Sequence, residues 1–212
     1  MTLNPSETVT TPTCTFTSGG AAMAGTVTYS TSNPDSHIAS VTVADADTNG
    51  AVTFSVAYED SAGNAGVADT SPNSGAVTID NTHPTWSSVV FASGDYVNNA
   101  EDESAINLVI ITSGAEDDET VTATLNSAAY TCTLTSNTCT AVITSAGLKA
   151  LSEASHSFSV AVSDTAGNAA TAHTSESFTY DITAPTSTTS VESVNGDGNA
   201  NDGDLLTITM NP

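Results

Sequence analysis

Short runs in which apolar and polar residues alternate dominate the chain, and clusters of Gly, Asn, Asp and Ser separate them. Residues 52–58 and 158–162 are two such runs, and most runs extend over about five to eight residues. A period of two places successive side chains on opposite faces of a strand. The runs are also rich in Val, Thr, Phe, Tyr and Ile, which favour strands. The pattern therefore predicts an all-β protein built from sandwiches.

One segment departs from this alternation. Residues 145–154 contain Leu148 and Leu151, whose spacing of three places them on one face of a helix. The segment therefore predicts a short helical turn that links two strands at the edge of a sandwich.

Two motifs occur twice along the chain. Asp-Ser-Ala-Gly-Asn at 60–64 returns as Asp-Thr-Ala-Gly-Asn at 164–168, and each copy follows an alternating run. Val-Thr-Ile-Asp-Asn-Thr-His-Pro-Thr at 77–85 returns as Phe-Thr-Tyr-Asp-Ile-Thr-Ala-Pro-Thr at 178–186. The spacing gives a repeat of about 100 residues, in which each copy ends in a strand stopped by proline.

Further matches set the limits of the repeat. Residues 88–95 align with residues 190–197, and Met-Thr-Leu-Asn-Pro at 1–5 resembles Ile-Thr-Met-Asn-Pro at 208–212. The expected units are residues 1–85, which lack a first strand, residues 86–186, and residues 187–212, which hold the opening strands of a third unit. We expect residues 187–212 either to supply the missing strands to another copy of the chain or to continue into a longer polypeptide.

The Asp-x-Ala-Gly-Asn loops and the Asp-x-Thr-x-Pro-Thr strand ends resemble those of the bacterial-type immunoglobulin-like repeats in the stalks of very large surface adhesins and surface-layer proteins. The resemblance covers essentially the whole chain. It implies tandem, seven-stranded immunoglobulin-like sandwiches of Greek-key topology, stacked end to end at the cell surface. It also implies Ca²⁺ at the junctions, where the ion stiffens the rod.

The charge balance excludes some partners. Asp and Glu number 24, Lys149 is the one Lys or Arg, and the net charge is −23. Nucleic acid is excluded, because binding to a phosphate backbone needs clustered Lys and Arg. No run reaches the ~18 apolar residues of a membrane helix, so membrane insertion is not expected.

Carboxylates clustered in loops repel one another, and divalent cations relieve that repulsion. Solubility and a halophilic surface are the alternative explanations of the acidity.

Calcium ligands follow from the resemblance. In such sandwiches the last hairpin turns towards the preceding unit, so Asp80 is expected to meet Asp164 and Asn168 at the junction of the first two units. Backbone carbonyls and water would complete the oxygen shell. The other expected ligands belong to half-sites and are Asp60, Asn64, Asp95, Glu101, Asp102, Asp181, Asp197, Asn199, Asp202 and Asp204. The alternative for the Asp-x-Ala-Gly-Asn loop is a tight turn capped by its own Asp.

The cysteines point to one disulfide. Residues 130–140 alternate, turn around Thr135-Ser136 and alternate back, as in a hairpin. This folding places Cys132 opposite Cys139 at a separation that a disulfide spans, which predicts a disulfide and an oxidising compartment. The alternative is two buried thiols on facing strands. Cys14 is expected to be a buried free thiol or to pair with a segment outside this chain.

Catalytic motifs are absent from the sequence. The four histidines are isolated, and no zinc motif, nucleophile elbow or phosphate loop occurs. The acidic run 116–119 lacks the fixed separation of a glycosidase pair and predicts a solvated loop. Trp86 is expected to pack at the junction or in the second core rather than form a sugar platform with Tyr96. We therefore expect a structural spacer rather than an enzyme; the alternative is a module that binds a glycan or protein ligand.

Overall fold

The computed structural model describes residues 1–33, 36–71, 75–175, 177–193 and 205–211. Nearly all of its regular structure is strand, which confirms the predicted all-β class. The strands in chain order are β1 Thr2–Leu3, β2 Thr13–Ser18, β3 Ala21–Ala22, β4 Thr28–Asn33, β5 Ser36–Ser40, β6 Gly50–Ala57, β7 Thr78–Ile79, β8 Thr85–Phe91, β9 Tyr96–Val97, β10 Ile106–Ser113, β11 Thr120–Leu125, β12 Ala128–Thr133, β13 Thr138–Ile143, β14 Ala154–His156, β15 Ser159–Ala161, β16 His173–Thr174, β17 Phe178–Tyr180, β18 Thr188–Ser193 and β19 Leu206–Asn211. The helix α1 is Ser145–Lys149.

Strands β1–β7 form two antiparallel sheets, with the orders β1-β5-β4 and β3-β2-β6-β7. We call this part the N-terminal sandwich. Its buried core is small and consists of Cys14, Ala39 and Val56, while Phe16 and Phe54 are only partly covered. Cys14 is a free thiol, and burial raises its pKa.

Strands β8–β17 form the central sandwich. Its two main sheets have the orders β13-β10-β8 and β12-β11-β15-β16, and a third ribbon has the order β14-β17-β9. Strands β17 and β9 are parallel, whereas the other pairs in these sheets are antiparallel. The chain moves from β8 and β10 in one sheet to β11 and β12 in the other and then returns to the first with β13.

Strict alternation builds the core of the central sandwich. Every second residue of β13 is buried, as a period of two requires for a strand that covers a core on one face. Phe91, Phe158 and Phe178 pack together at the centre, with ring centroids 4.7 to 5.7 Å apart. Phe91 comes from β8, so the first strand of this sandwich contributes directly to its aromatic core.

The segment around the cysteines forms a tight turn close to the predicted one but not the predicted strand pair. Thr135 and Thr138 form an antiparallel bridge, whereas β12 pairs with β11 in one sheet and β13 pairs with β10 in the other, so the predicted pairing of the two strands is wrong. A turn at Thr135–Thr138 closes with two backbone hydrogen bonds. Leu134, between β12 and β13, is fully buried where the chain passes from one sheet to the other. The Cys132–Cys139 disulfide, with a Cα–Cα distance of 5.7 Å, therefore joins edge strands of opposite sheets.

Helix α1 confirms the helical turn predicted for residues 145–154. The Thr144 side chain caps it by accepting the Gly147 N–H at 3.2 Å, and Leu148 and Leu151 are buried beneath it. Within the described part of the chain, no helix is long and apolar enough to cross a membrane.

Strands β18 and β19 form an antiparallel hairpin, paired from Thr188 with Asn211 to Ser193 with Leu206. The residues that connect the two strands, 194–204, lie outside the described residues. Val191 is 65% exposed and Ile208 is 70% exposed. The hairpin therefore presents apolar side chains to solvent that a packed sandwich would bury.

Replacing both disulfide cysteines by serine, Cys132→Ser with Cys139→Ser, is expected to lower the free energy of unfolding of the central sandwich by about 2 kcal/mol, because the unfolded chain regains the entropy of a short closed loop. Urea unfolding followed by the fluorescence of Trp86 measures this change. Reductant should destabilise the wild type by a similar amount and leave the double variant unchanged. A wild-type transition that does not respond to reductant would contradict the prediction.

Candidate functional site

The two Asp-x-Ala-Gly-Asn loops form the same turn. In the second loop, Asp164 Oδ1 accepts the backbone N–H of Asn168 at 2.8 Å, and Asp164 Oδ2 accepts the Asn168 side-chain amide at 2.9 Å. Asp60 accepts the corresponding bonds from Asn64 at 2.8 and 2.7 Å. The fourth position of each turn is glycine at positive φ, 89° and 95°, a conformation that disfavours a side chain. In these contacts the Asp side chain caps its own turn. The sequence analysis gave such a capped turn as the alternative to a loop that binds metal.

The hydrogen bonds in these turns stabilise ionised carboxylates. Burial acts to raise the pKa of Asp164, but hydrogen bonds from the Asn168 side chain and from backbone N–H groups outweigh it and lower the pKa. The Asn64 side chain and backbone likewise lower the pKa of Asp60, which lies in the more exposed loop. Both loops therefore hold a fixed negative charge at neutral pH.

The second loop contacts the end of the N-terminal sandwich. The Asn168 amide also donates to the backbone carbonyl of Asp80 at 2.9 Å, so it bridges two residues that the sequence predicts to meet. His83 Nδ1 lies 2.8 Å from the Ala169 carbonyl. The Trp86 indole donates to the Thr171 carbonyl at 2.8 Å. We call the contacts of Asn168 and His83 the junction clasp, because they join the linker after β7 to the second loop and to Ala169. Trp86 belongs to β8, so its hydrogen bond lies within the central sandwich.

Because a carbonyl accepts, the contact of His83 with Ala169 places the proton on Nδ1. The Trp86 ring packs against the core of the central sandwich and lies 6.3 Å from the ring of His173. Trp86 therefore packs against the core of the central sandwich, which is one of the two places expected for it.

The linker is anchored to its own sandwich by side chains that the sequence analysis did not identify. Asn49 donates to Asp80 Oδ1 at 2.8 Å and accepts the Asn81 N–H at 2.8 Å. The Asn81 amide in turn donates to the Asp47 carbonyl at 3.1 Å. No repeated motif pointed to these residues, because Ile182 takes the place of Asn81 in the second copy.

The acidic run 116–119 is exposed for most of its length, but it also supports the second loop. Glu116 Oε2 accepts the backbone N–H of Thr165 at 3.0 Å, and Glu119 Oε1 accepts the Thr165 hydroxyl at 2.9 Å. The run is therefore a largely solvated loop, as expected, and two of its carboxylates also bind Thr165, the residue that follows Asp164.

The oxygens at the junction are of the kind that hard cations prefer. The Asp80 carbonyl and the Asp164 carboxylate converge on the Asn168 amide, which carries partial positive charge. In the described ranges, no group of three or more His, Cys, Asp or Glu side chains is arranged to hold a metal ion. A cation at this junction would therefore depend on carbonyl and amide oxygens as much as on carboxylates, and the calcium site stays a prediction.

The expected half-site at the other end of the central sandwich lies along the parallel pair β9–β17. The Asp95 carbonyl accepts the Thr179 N–H at 2.8 Å, and the Asp181 N–H donates to the Val97 carbonyl at 3.0 Å. Asp102 contacts the same pair through Tyr180. The structure thus places Asp95, Asp102 and Asp181 around one strand pair.

Asp102 is the most deeply buried of the candidate ligands, with 2% exposure. Its Oδ2 accepts the Tyr180 hydroxyl at 2.6 Å, and its carbonyl accepts the Ser145 hydroxyl at 2.6 Å. Its Oδ1 is buried without a hydrogen-bond partner among the described residues. Glu101 instead accepts the Asn98 N–H within its own turn. Four further candidates, Asp197, Asn199, Asp202 and Asp204, lie outside the described residues.

Replacing the bridging amide, Asn168→Ala, is expected to lower the free energy of unfolding by about 1–2 kcal/mol, because buried Asp164 loses a partner. It should also increase the motion of the two sandwiches relative to each other, measured by residual dipolar couplings. Asn64→Ala is the matched control, since Asn64 makes the same bonds to Asp60 but none to Asp80. Equal relative motion in both variants would count against the clasp.

Tyr180 is expected to ionise late, because its hydrogen bond to Asp102 and its burial raise its pKa to about 12. The stability that this bond contributes is fully present below the unfolded pKa of about 10 and is lost as pH rises through the folded value. Ultraviolet titration of phenolate absorbance measures the shift, and Tyr180→Phe identifies the signal. Asp102→Asn should lower this pKa; a late titration that persists in Asp102→Asn would disprove the assignment.

Among known proteins, several solved structures are similar to this chain. No family model matches the sequence, and no curated protein matches it. A 1.5-MDa bacterial ice-binding adhesin shares 25% identity at a TM-score of 0.45, over 90% of this chain and 60% of that chain. A Ca²⁺-stabilized adhesin with which an Antarctic bacterium binds ice shares 24% identity at a TM-score of 0.41, over 87% and 44%. A tetra-tandem repeat from the extending region of a large adhesion protein shares 17% identity at a TM-score of 0.40, over 94% and 54%. The chain spans less than two thirds of each of these structures.

Proposed function

We propose that this chain is a spacer segment of an extracellular surface fibre, stalk or adhesin, built from tandem immunoglobulin-like sandwiches and stiffened by Ca²⁺. The observation that carries the proposal is the junction clasp. Asn168 of the second repeated loop donates to the Asp80 carbonyl at the end of the preceding sandwich. Successive units joined in this way would form a rod.

The immunoglobulin-like assignment is supported by the order of strands in the central sandwich. Strands β8, β10 and β13 share one sheet, and β12, β11, β15 and β16 share the other. The chain therefore crosses between the two sheets from β10 to β11, from β12 to β13 and from β13 to β15, as in a Greek key. The proposed units are residues 1–85, 86–186 and 187–212. The two loops with equal hydrogen bonds support this division, because each lies at the same position in its unit.

Calcium is proposed for its chemistry at the junction. Ca²⁺ would replace the Asn168 N–H donors between the Asp80 carbonyl and the Asp164 carboxylate. The Asn168 amide would then turn so that its oxygen, with water, completes a hard oxygen set of the kind that Ca²⁺ prefers. The bound ion would neutralise part of the repulsion that a net charge of −23 generates. Asp60 and Asn64 form the equivalent half of a site, as do Asp95, Asp102 and Asp181 at the far end of the central sandwich.

The remaining features support a location outside the cell. The disulfide between Cys132 and Cys139 persists in an oxidising compartment. With Lys149 as its one Lys or Arg, the chain has no basic patch for nucleic acid. Its proposed partners are therefore neighbouring repeats or further copies of the same chain.

Ca²⁺ is expected to stabilise the chain by about 2.7 kcal/mol at a concentration a hundredfold above its dissociation constant, and to narrow the distribution of lengths measured by X-ray scattering. Chelation should reverse both effects, and Mg²⁺ should reproduce them weakly. Asp164→Asn should weaken Ca²⁺ binding, measured by titration calorimetry, by roughly tenfold or more, since a carboxylate ligand is lost.

Asp60→Asn provides the matched control, because it changes the same position of the other loop without touching the junction. It should leave the length distribution unchanged. If chelation alters neither length nor melting temperature while the chain is captured on immobilised glycans, the binding-module alternative replaces the spacer.

A further inference from the structure

The acidic residues of the chain lie almost entirely outside its strands. The chain holds 24 acidic residues, and Glu192 is the one that falls within the described strands β1–β19. Loops carry the others of the described ranges, including the acidic runs 101–103 and 116–119. Copies of the chain therefore repel one another where their loops approach, whereas the strands themselves carry almost no negative charge.

The sheet β13-β10-β8 combines this lack of charge with exposed apolar side chains. Leu108, Ile110 and Thr112 of β10 are buried, so Val109 and Ile111 lie on the outer face of the sheet. Ile111 is 37% exposed. The outer face of a central strand thus carries two β-branched apolar residues where polar residues are usual on a solvated sheet.

Residues of the two flanking strands extend this surface. Val109 pairs with Val90 of β8 on one side and with Thr140 of β13 on the other. Val142 lies two residues beyond Thr140 on the same face of β13. Val90 is 55% exposed and Val142 is 50% exposed. We call Val90, Val109, Ile111 and Val142 the apolar face, which has Val109 near its centre.

The outer face of the opposite sheet has a different composition. Alternate residues of β11 are buried, which places Thr120, Thr122 and Thr124 on the outside. Thr122 pairs there with Thr131 of β12. Across the described strands β12, β11, β15 and β16, the outward positions hold Thr, Ser and Ala but no Val, Leu or Ile. Only one of the two outer faces of the central sandwich is therefore apolar.

The composition of the apolar face selects its partner. The outward positions of β8, β10 and β13, all within the described ranges, hold no carboxylate to attract a cationic partner and no aromatic ring on which a sugar could stack. The same face of a second copy is also uncharged and apolar. Two sheets pack face to face about 10 Å apart through such side chains.

We propose that two copies of the chain associate side by side through the apolar face. The contact is isologous, because the same face serves on both copies and a two-fold axis relates them. The acidic loops then lie at the rim of the contact, where water and salt screen their charge. The inference goes beyond the proposed function, which concerns contacts between successive units, and it requires no calcium.

The size of the face predicts a weak contact. Strands lie about 4.8 Å apart and rise about 3.4 Å per residue, so three strands of about six residues span roughly 15 by 20 Å. A standard interface covers about 800 Å² per partner, so this smaller one should be transient. The net charge of −23 opposes the approach of two copies, and added salt should therefore strengthen the association. An association between opposite charges would weaken with salt instead.

Val142→Glu tests the proposal in the full chain, with chelator present to remove any effect of calcium. Sedimentation velocity of the wild type from about 10 μM to about 1 mM, at low and high salt, should show a monomer–dimer equilibrium that salt favours. Val142→Glu should dimerise roughly tenfold or more weakly, because the dimer would bury a carboxylate without a partner. Val90→Glu, at the other edge of the apolar face, should have the same effect.

Thr131→Glu is the matched control. It adds the same charge at an exposed position of an edge strand, but on the outer face of the opposite sheet, and should leave the dimer unchanged. Melting temperatures check that each variant is folded. A benzoylphenylalanine at position 111, in a mixture of ¹⁵N-labelled and unlabelled chains, should crosslink labelled to unlabelled chains at residues of β8, β10 or β13.

Three results would overturn the proposal. The first is a wild type that stays monomeric over the whole range of concentration and salt. The second is equal weakening of the dimer by Thr131→Glu and Val142→Glu. The third is crosslinks between chains that fall on the acidic loops or on the hairpin β18–β19 instead of the apolar face. A dimer that persists while calcium leaves the length distribution unchanged would contradict the proposed function alone.

Discussion

The side-chain amide of Asn168 couples the local structure of a loop to the arrangement of two sandwiches. One amide proton goes to the Asp164 carboxylate within the loop, and the other goes to the Asp80 carbonyl of the preceding sandwich. Asp164 is 4% exposed, so rotation of the amide away from it would leave a buried carboxylate short of a partner. The amide therefore holds one orientation, and the linker between the sandwiches is held with it. His83 adds a contact from the same linker to the Ala169 carbonyl and extends the junction beyond one residue.

The two sandwiches share this loop but differ in how completely they are closed. In the central sandwich, Phe91 of the first strand packs on Phe158 and Phe178, and the core extends from the junction to Tyr180. In the N-terminal sandwich, Phe54 borders a groove instead. The difference follows from the strands present, because β1 is two residues long where β10 is eight.

Much of the fold was predictable because its signals are local. Alternation in runs such as β13 predicted strands, and the spacing of Leu148 and Leu151 predicted the helical turn where α1 forms. The Asp-x-Ala-Gly-Asn motif was expected to supply calcium ligands, and the capped turn that forms was the alternative, in which Asp accepts backbone N–H groups and Gly takes positive φ. A turn forms close to the one predicted around Thr135-Ser136, but the predicted pairing of the strands on either side of it was wrong. Alternation specifies which residues face a core, but it does not specify which strands pair with each other. Here Leu134 is buried between β12 and β13, and β13 pairs with β10 in the opposite sheet.

The sequence by itself determined the class of structure and the repeat of motifs about 100 residues apart, because periodicity and repeated motifs carry this information. The proximity of Asp80 to the second loop was expected from the resemblance to immunoglobulin-like repeats, in which the last hairpin turns towards the preceding unit. Only the tertiary structure decided which atoms meet at the junction. The anchoring of the linker by Asn49 and Asn81, the support of Thr165 by Glu116, and the bond from Tyr180 to Asp102 join residues far apart in the chain. Such contacts produce no periodic pattern in a single sequence. They depend on the path of the chain in three dimensions, which brings distant polar groups within hydrogen-bonding distance.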